Sequence, residues 1–435
     1  MPEVLVVGGG PAGIATAARL AKLGHAVRLV EAGDHLGGRL RGATVTLPAG
    51  EFTFDDGPAT MLLPAALRDL FRKSGRPLES ACELELVTTE HRFPDGSRVH
   101  LPGGSRAAQL RAVDELGAGL GAEWCTFVHA GADDWDHLRR GLYERSYAAG
   151  VSRELDRLVS GGASMADRVA ALSDQRLRSL ATVEARLDGH LPDRVPEWLA
   201  LLNYLEQRLG RWRIRGGGPR LVAALEQRLE QRRVRVETGV ARDYPDGALA
   251  EALVVWAAPP TGPLDSGSSM GVTPGWRARL GFRRTAGLGG GTADQPVSSA
   301  HARGVRRVHL ALTEEWNGPA RTVLHTADPV ELTAGPSAPG GHAALTLTSR
   351  SDRDPVALAE DFGITLRDRV LQRRDSVGRT APEETWLAPR TDTRLLGPKT
   401  HLPRVWRASP AMAPGLGLTS AWLAAAQTAH AIGRG

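Results

Sequence analysis

Gly8, Gly10 and Gly13 are spaced as G-x-G-x-x-G, with Pro11 and Ala12 inside the turn, and they carry the plainest chemical signal in this chain. Such a turn binds a dinucleotide's pyrophosphate. The first glycine permits a tight turn, the second lets phosphate approach the backbone, and the third lets helix and strand pack closely. Glu31, followed by Ala32, lies near the spacing at which a carboxylate bonds both ribose hydroxyls of an adenosine.

The elements that must position these residues are equally legible. Val4 to Val7 reads as a buried parallel strand leading into the turn. A helix follows, with Ile14, Ala17, Ala18 and Ala21 on its apolar face, and Gly24 ends it. Its start offers free N–H groups and the positive end of the dipole to a diphosphate. Val27 to Val30 is a second strand, closed by Glu31. This context points to a dinucleotide site more strongly than the glycines do, but does not separate NAD from FAD.

Composition narrows the class. At 435 residues the chain is long enough for two or three domains, and 42% hydrophobic with 24% charged residues describes a globular protein. The formal net charge is +5, almost all of it from arginine, since Lys22, Lys73 and Lys399 are the lysines. No basic run is interleaved with aromatics, so nucleic acid is not an expected partner. Attraction to an anionic membrane surface is compatible with the charge. Two cysteines fit a reducing cytoplasm. The sequence shows no signal peptide, no apolar run of transmembrane length, no metal-ligand spacing and no G-x-S-x-G elbow. A cytoplasmic protein without a metal, with peripheral contact at the inner membrane surface, is expected.

Several further segments carry a family likeness. Gly37-Gly38-Arg39 follows the second strand, and Phe54-Asp55-Asp56-Gly57-Pro58 comes next. RFPDGSRVHLPGG, the WRIRGGGPRLV segment from Trp212, AGPSAPGGH, and the closing Pro414-Gly415-Leu416-Gly417 loop with its helix complete the series. Together they resemble the phytoene desaturase-like group of the amine oxidase superfamily, over most of the chain. The likeness is weakest between Trp124 and Leu201 and between Gly262 and Arg307. It implies FAD as the cofactor, with Gly38 and Arg39 at the flavin diphosphate, Gly57 and Pro58 near the ring, and Val240 at the adenine. Gly415, Gly417 and Leu418 would pass beside the flavin. Arg407 stands where the group has glycine, and either brings a positive charge near the flavin or obstructs the diphosphate.

The same likeness implies an α/β fold. A Rossmann-like FAD-binding domain would be assembled from 1–75, 205–262 and 375–435, with an inserted α+β substrate domain from 76–204 and 263–374. Along the chain, Pro64 starts a helix with Leu67, Leu70 and Phe71 on one face. Glu83 to Val87 and His91 to Leu101 read as strands, the second containing a turn at Phe93 to Ser97. Ser105 is an N-cap, and the region from Trp124 is helical with charge pairs read as solvated faces. Trp135, Tyr143, Tyr147, Trp198 and Tyr204 are candidates for either an apolar tunnel or core. Gly262 to Gly291 reads as linker, and Pro355 opens a helix reaching Val370.

What the resemblance implies is a flavin-dependent oxidoreductase. It would transfer a hydride between FAD and a C–C bond of a long apolar, isoprenoid or carotenoid-like substrate. Asp55 and Asp56 are the polar groups nearest the expected ring, but the residues assign no catalytic acid or base. The alternatives are a flavin-dependent isomerase, cyclase or saturase, an amine-oxidase-like enzyme, and a non-catalytic scaffold.

Overall fold

Short β-branched runs make the centre of the first lobe. In this computed structural model, Val4–Val7, Val27–Val30 and Leu253–Trp256 pair in parallel with Arg235–Glu237 and Val405–Arg407. The strand order is 405–407, 253–256, 4–7, 27–30, 235–237. The structure describes residues 3–147, 150, 152–160, 162–240, 253–257, 304–378, 397–399, 404–413 and 415–435. The Gly262 to Gly291 linker and Pro414 lie outside them.

One face of this sheet is covered by the Pro11–Lys22 helix, the Gly217–Gln231 helix and the closing Leu418–Ile432 helix. Their buried residues Ala17, Leu221, Leu225, Ala421, Trp422 and Ala425 share one core with Val4, Val6 and Leu29. Alanines on the first and last helices let the two backbones come close. The expected Pro64 helix is present as Ala65–Ser74, with Leu67, Leu70 and Phe71 buried in the same core. Its apolar face is therefore not available to a membrane.

The second lobe is a nine-stranded mixed sheet ordered 370–378, 305–312, 343–349, 330–334, 321–324, 84–92, 211–214, 61–62, with Arg98–Pro102 paired to Leu84–Arg92. Met61–Leu62 and Arg211–Ile214 pair here although their neighbours in sequence serve the first lobe. The two sheet faces differ. Val308, Leu310, Leu312, Val330, Leu332, Leu345 and Leu347 bury one face against the Pro355–Asp361 helix. The registry puts Arg307 and His309, Thr346 and Thr348, Glu331 and Thr333, Arg321, Thr89 and His91 on the opposite face. Helices between Leu120 and Leu209 form the remaining layer around Trp124, Tyr143, Leu177, Trp198 and Leu205.

Two expectations need correction. Leu84–Arg92 is one continuous strand, and the break falls at the Phe93 to Ser97 turn, where Phe93 N donates to the Ser97 carbonyl and Gly96 N to the Phe93 carbonyl. The Pro355 helix stops at Asp361, because Gly363 takes a positive φ of 77° and Val370 opens a strand. Tyr143 and Trp198 are packed in the helical core, with Trp135, Tyr147 and Tyr204 against its edge. Ser105 is an N-cap as expected, its Oγ accepting from Ala108 N at 3.2 Å.

Candidate functional site

The site begins at the glycine turn. Gly8 has φ of 107°, and a Cβ on Gly13 would lie 1.8 Å from the Gly8 carbonyl oxygen. Strand and helix therefore touch at that point. Gly10 differs: a Cβ there would meet nothing within 4 Å. Gly10 is also the N-cap of Pro11–Lys22 and brings no capping side chain, so the helix start faces open space. Ala12 is buried beneath the turn. This is a cradle for an anion, made of backbone N–H groups and a helix dipole.

Three other pieces of chain close around it. Gly37 N donates to the Gly9 carbonyl at 2.8 Å, and a Cβ on Gly38 would lie 3.2 Å from Gly10 Cα. The turn carrying Arg39 therefore rests on the open glycine. Gly57 packs on Arg39 in turn, its Cβ position 1.7 Å from the Arg39 carbonyl oxygen, with Pro58 following. Asp55 reaches the Gly217–Gln231 helix, where its Oδ1 accepts from Gly218 N at 2.8 Å. Burial pushes the Asp55 carboxyl up, and the Gly218 N–H only partly offsets this. Asp55 is thus a structural tie between two glycine turns, a role its sequence context did not reveal.

Glu31 stands at the other end of the cradle. Its carboxylate accepts from Gly9 N at 2.5 Å and from Gly33 N at 2.8 Å. Val240 N donates to the Glu31 carbonyl at 3.1 Å, and Gly239 N to the Gly33 carbonyl at 2.9 Å. Glu31, Ala32 and Val240 are therefore neighbours, as an adenosine pocket built from both segments requires.

The tail reaches the same region from the opposite side. Gly415 and Gly417 have φ of 86° and 53°, and Gly417 is the N-cap of Leu418–Ile432 with open space around it. Leu418 is buried in the first lobe's core, and Thr419 Oγ1 donates to the Leu62 carbonyl, just beyond the Gly57-Pro58 turn. The Arg407 guanidinium donates to the Gly397 carbonyl at 3.4 Å, and its own carbonyl accepts from Thr428 Oγ1 at 2.6 Å.

Asp56 gains a partner that sequence reasoning missed. Its Oδ1 lies 3.2 Å from His309 Nε2, while His309 Nδ1 lies 3.0 Å from Thr346 Oγ1. His309 is buried and packs on Phe54, ring centroids 4.9 Å apart. The hydrogen bond from His309 holds the Asp56 carboxyl below the usual range. The pair joins the two lobes across 253 residues of chain. A trace was readable: Arg307 and His309 alternate with Val308 and Leu310, as a two-faced strand requires.

Deeper on the polar sheet face is a buried ionic network. Arg211 donates to both Glu206 oxygens at 3.0 and 2.8 Å and to Thr60 Oγ1 at 3.2 Å, and pairs with Glu184 at 2.9 Å. Arg321 donates to Glu184 at 2.8 Å, Glu331 at 2.6 Å and Thr89 Oγ1 at 3.4 Å. Glu184 and Glu206 are therefore not solvated helix-face charges, contrary to expectation. A cavity of about 80 Å³ adjoins the network, lined by Asp55, Thr60, Arg213 and Thr333 among others. A larger hollow of about 420 Å³ lies in the helical layer beside Val169, Gln175, Thr182 and Arg186. Among the described residues no group of His, Cys, Asp or Glu could hold a metal ion.

Residues 6–74 match the family model of an NAD(P)-binding Rossmann-like domain. Hydroxyneurosporene desaturase of Cereibacter sphaeroides is 32% identical over 265 residues, covering 58% of this chain and 52% of the relative. 4,4'-Diapolycopene oxygenase of a Methylomonas species is 28% identical, covering 55% and 48%. The zeta-carotene-forming phytoene desaturase of Myxococcus xanthus is 29% identical, covering 56% and 48%. By sequence, the chain is similar to proteins named as desaturases and as an oxygenase. It spans about half the length of the curated relatives it matches. The fold is also that of solved oxidases. Cyclohexylamine oxidase of Brevibacterium oxydans superposes with a TM-score of 0.57 at 15% identity, over 99% of this chain and 98% of the other. A putrescine oxidase with a redesigned cofactor site gives 0.59 at 15% identity, with the same coverage.

Proposed function

We propose that this protein is an FAD-dependent oxidoreductase that transfers a hydride between the flavin and a C–C bond of a long, isoprenoid-like substrate. The observation that carries this reading is the open backbone cradle at Gly10, with the Gly37-Gly38 turn that leads to Arg39 resting on it and Glu31 and Val240 at its far end. An extended dinucleotide fits that donor set. Gly8, Gly10, Pro11, Ala12 and Gly13 would face the diphosphate together with Gly38 and Arg39. Glu31 and Ala32 would take the ribose, Val240 the adenine, and Gly57, Pro58, Gly415, Gly417 and Leu418 the ring end. When bound, FAD supplies the hydride acceptor or donor. The chain's own part is to hold cofactor and substrate between the lobes and to keep water out. Desaturation is favoured over isomerisation, amine oxidation and a scaffold role because the sequence relatives are named desaturases and an oxygenase.

The test at the site is Glu31→Ala. The variant loses the charged acceptor for the ribose hydroxyls, each such bond contributing about 1.5–3 kcal/mol. It also releases Gly9 N and Gly33 N, which a water can satisfy at this partly exposed position. The expected result is FAD affinity lowered by tenfold or more, on the order of 1.4 kcal/mol or above, with the fold retained. Unchanged affinity by equilibrium dialysis places the adenosine elsewhere.

No helix among the described residues is long and apolar enough to cross a membrane. We further propose a cytoplasmic protein that meets its apolar substrate at the inner membrane surface, through the arginine-rich helices that include Arg139–Tyr143 and Arg153–Ser160. Flotation with anionic liposomes at low salt should carry the protein upward. Complete retention in the bottom fraction removes this part of the proposal.

A further inference from the structure

Arg307 is a charge with no directly bonded carboxylate among the described residues. It lies on the Val305–Leu312 strand of the second lobe, half-buried, on the face that looks towards the first lobe. It makes no hydrogen bond or ion pair among the described residues. Among the described residues, the two carboxylates within electrostatic reach are Asp56 and Glu331. Asp56 is engaged by His309, and Glu331 by Arg321 at 2.6 Å. Other arginines gather at the same place. Arg39 comes from the glycine turn, and Arg350 follows the Ala343–Ser349 strand and donates to the Asp188 carbonyl at 2.9 Å. Burial, and then the like charge of Arg39, push the Arg307 guanidinium down. Arg374 is the registry partner of His309 and adds to the positive charge around Asp56.

Contacts lead from the strand that carries Arg307 to the turn that carries Arg39. His309 is two residues on, on the same face, and touches Asp56. Asp56 precedes Gly57, which is packed on the Arg39 carbonyl. The Arg39 turn in turn rests on Gly10. A half-buried guanidinium beside like charges is costly unless an anion joins it. Arginine forks suit phosphate oxygens, two bonds at a time.

We infer that Arg307 is a second diphosphate-binding arginine, contributed by the substrate lobe and acting beside Arg39 on the cofactor's phosphates. The inference rests on the FAD reading above. Cofactor binding then draws the two lobes together, since one anion is held from both.

The test uses purified full-length protein stripped of cofactor, with FAD binding followed by flavin fluorescence and with ADP and adenosine as competitors. Arg307→Gln raises the FAD and ADP dissociation constants about 10- to 100-fold, as loss of a charge-assisted bond predicts. The adenosine constant stays the same, because adenosine carries no phosphate. Arg307→Lys keeps the charge but not the fork, so it falls between parent and Arg307→Gln. It also decides the matter if circular dichroism shows the glutamine variant misfolded. Parent-like FAD and ADP binding in the variants overturns the inference, as does an equal loss for adenosine. A parent that takes up no FAD at all is a different result, and overturns the cofactor reading itself.

Discussion

Gly10→Val abolishes flavin binding and leaves the fold intact, whereas Gly13→Val destabilises the fold itself. The two glycines belong to one motif but face different surroundings. A Cβ at Gly10 meets nothing within 4 Å, and the backbone there is extended at φ −75° and ψ 179°, which valine adopts readily. The new side chain enters only the space in front of the helix start, where the diphosphate would lie. At Gly13 the added Cβ would sit 1.8 Å from the Gly8 carbonyl oxygen, a backbone atom that cannot step aside without moving the strand. Such overpacking costs about 3 kcal/mol or more. Urea denaturation and flavin content, measured on both variants, separate the cases. A Gly10→Val protein that keeps its flavin shows that the cradle is not the phosphate site. Equal destabilisation by both variants shows that Gly10 is structural.

Arg321→Met should be the most damaging single change in the second lobe. Arg321 is about 1% exposed and joins Glu184, Glu331 and Thr89. Removing it leaves Glu331 without its partner and Glu184 with Arg211 alone. Breaking a buried pair in this way costs about 3–5 kcal/mol. The paired change Arg321→Met with Glu331→Leu should recover most of that loss, since a well-packed apolar replacement is often neutral. The network also has a pH signature. Burial pushes the Glu184 carboxyl up, but the Arg211 and Arg321 guanidiniums outweigh it and hold it below its ordinary value. A depressed carboxyl contributes stability above its unfolded pKa and loses it as pH falls through the folded one. The parent should therefore lose stability in acid more steeply than the double variant. A loss under 1 kcal/mol for Arg321→Met would falsify the network's structural role.

Some of this architecture was written locally and could be read locally. Val4 to Val7, the glycine turn, the Ile14 and Ala17 face and Glu31 are contiguous, so pattern and spacing specify strand, turn and helix together. Gly37 to Arg39 and Gly57 could be placed only by likeness, and the structure then shows the backbone contacts that stack them on Gly10. The Asp56–His309 pair could not be read, because it depends on which face of a distant strand meets the first lobe. The ionic network was hidden for a related reason. In an arginine-rich chain, Arg211, Arg321, Glu184 and Glu206 look like ordinary surface charges until registry sets the two arginines on one sheet face and the helices carrying the two glutamates pack against it. The overlong Pro355 helix has a simpler cause. Ala359, Phe362, Leu366 and Val370 keep helical spacing across Gly363, and the glycine outweighed the pattern.

The cofactor claim is tested most directly by the nucleotide that the purified protein itself carries. Protein produced with adequate flavin should show a flavin visible spectrum. Heat denaturation should release FAD, identified by chromatography, at close to one per chain. Release of NAD(H), or of no nucleotide, would contradict the assignment of the Gly10, Arg39 and Glu31 site.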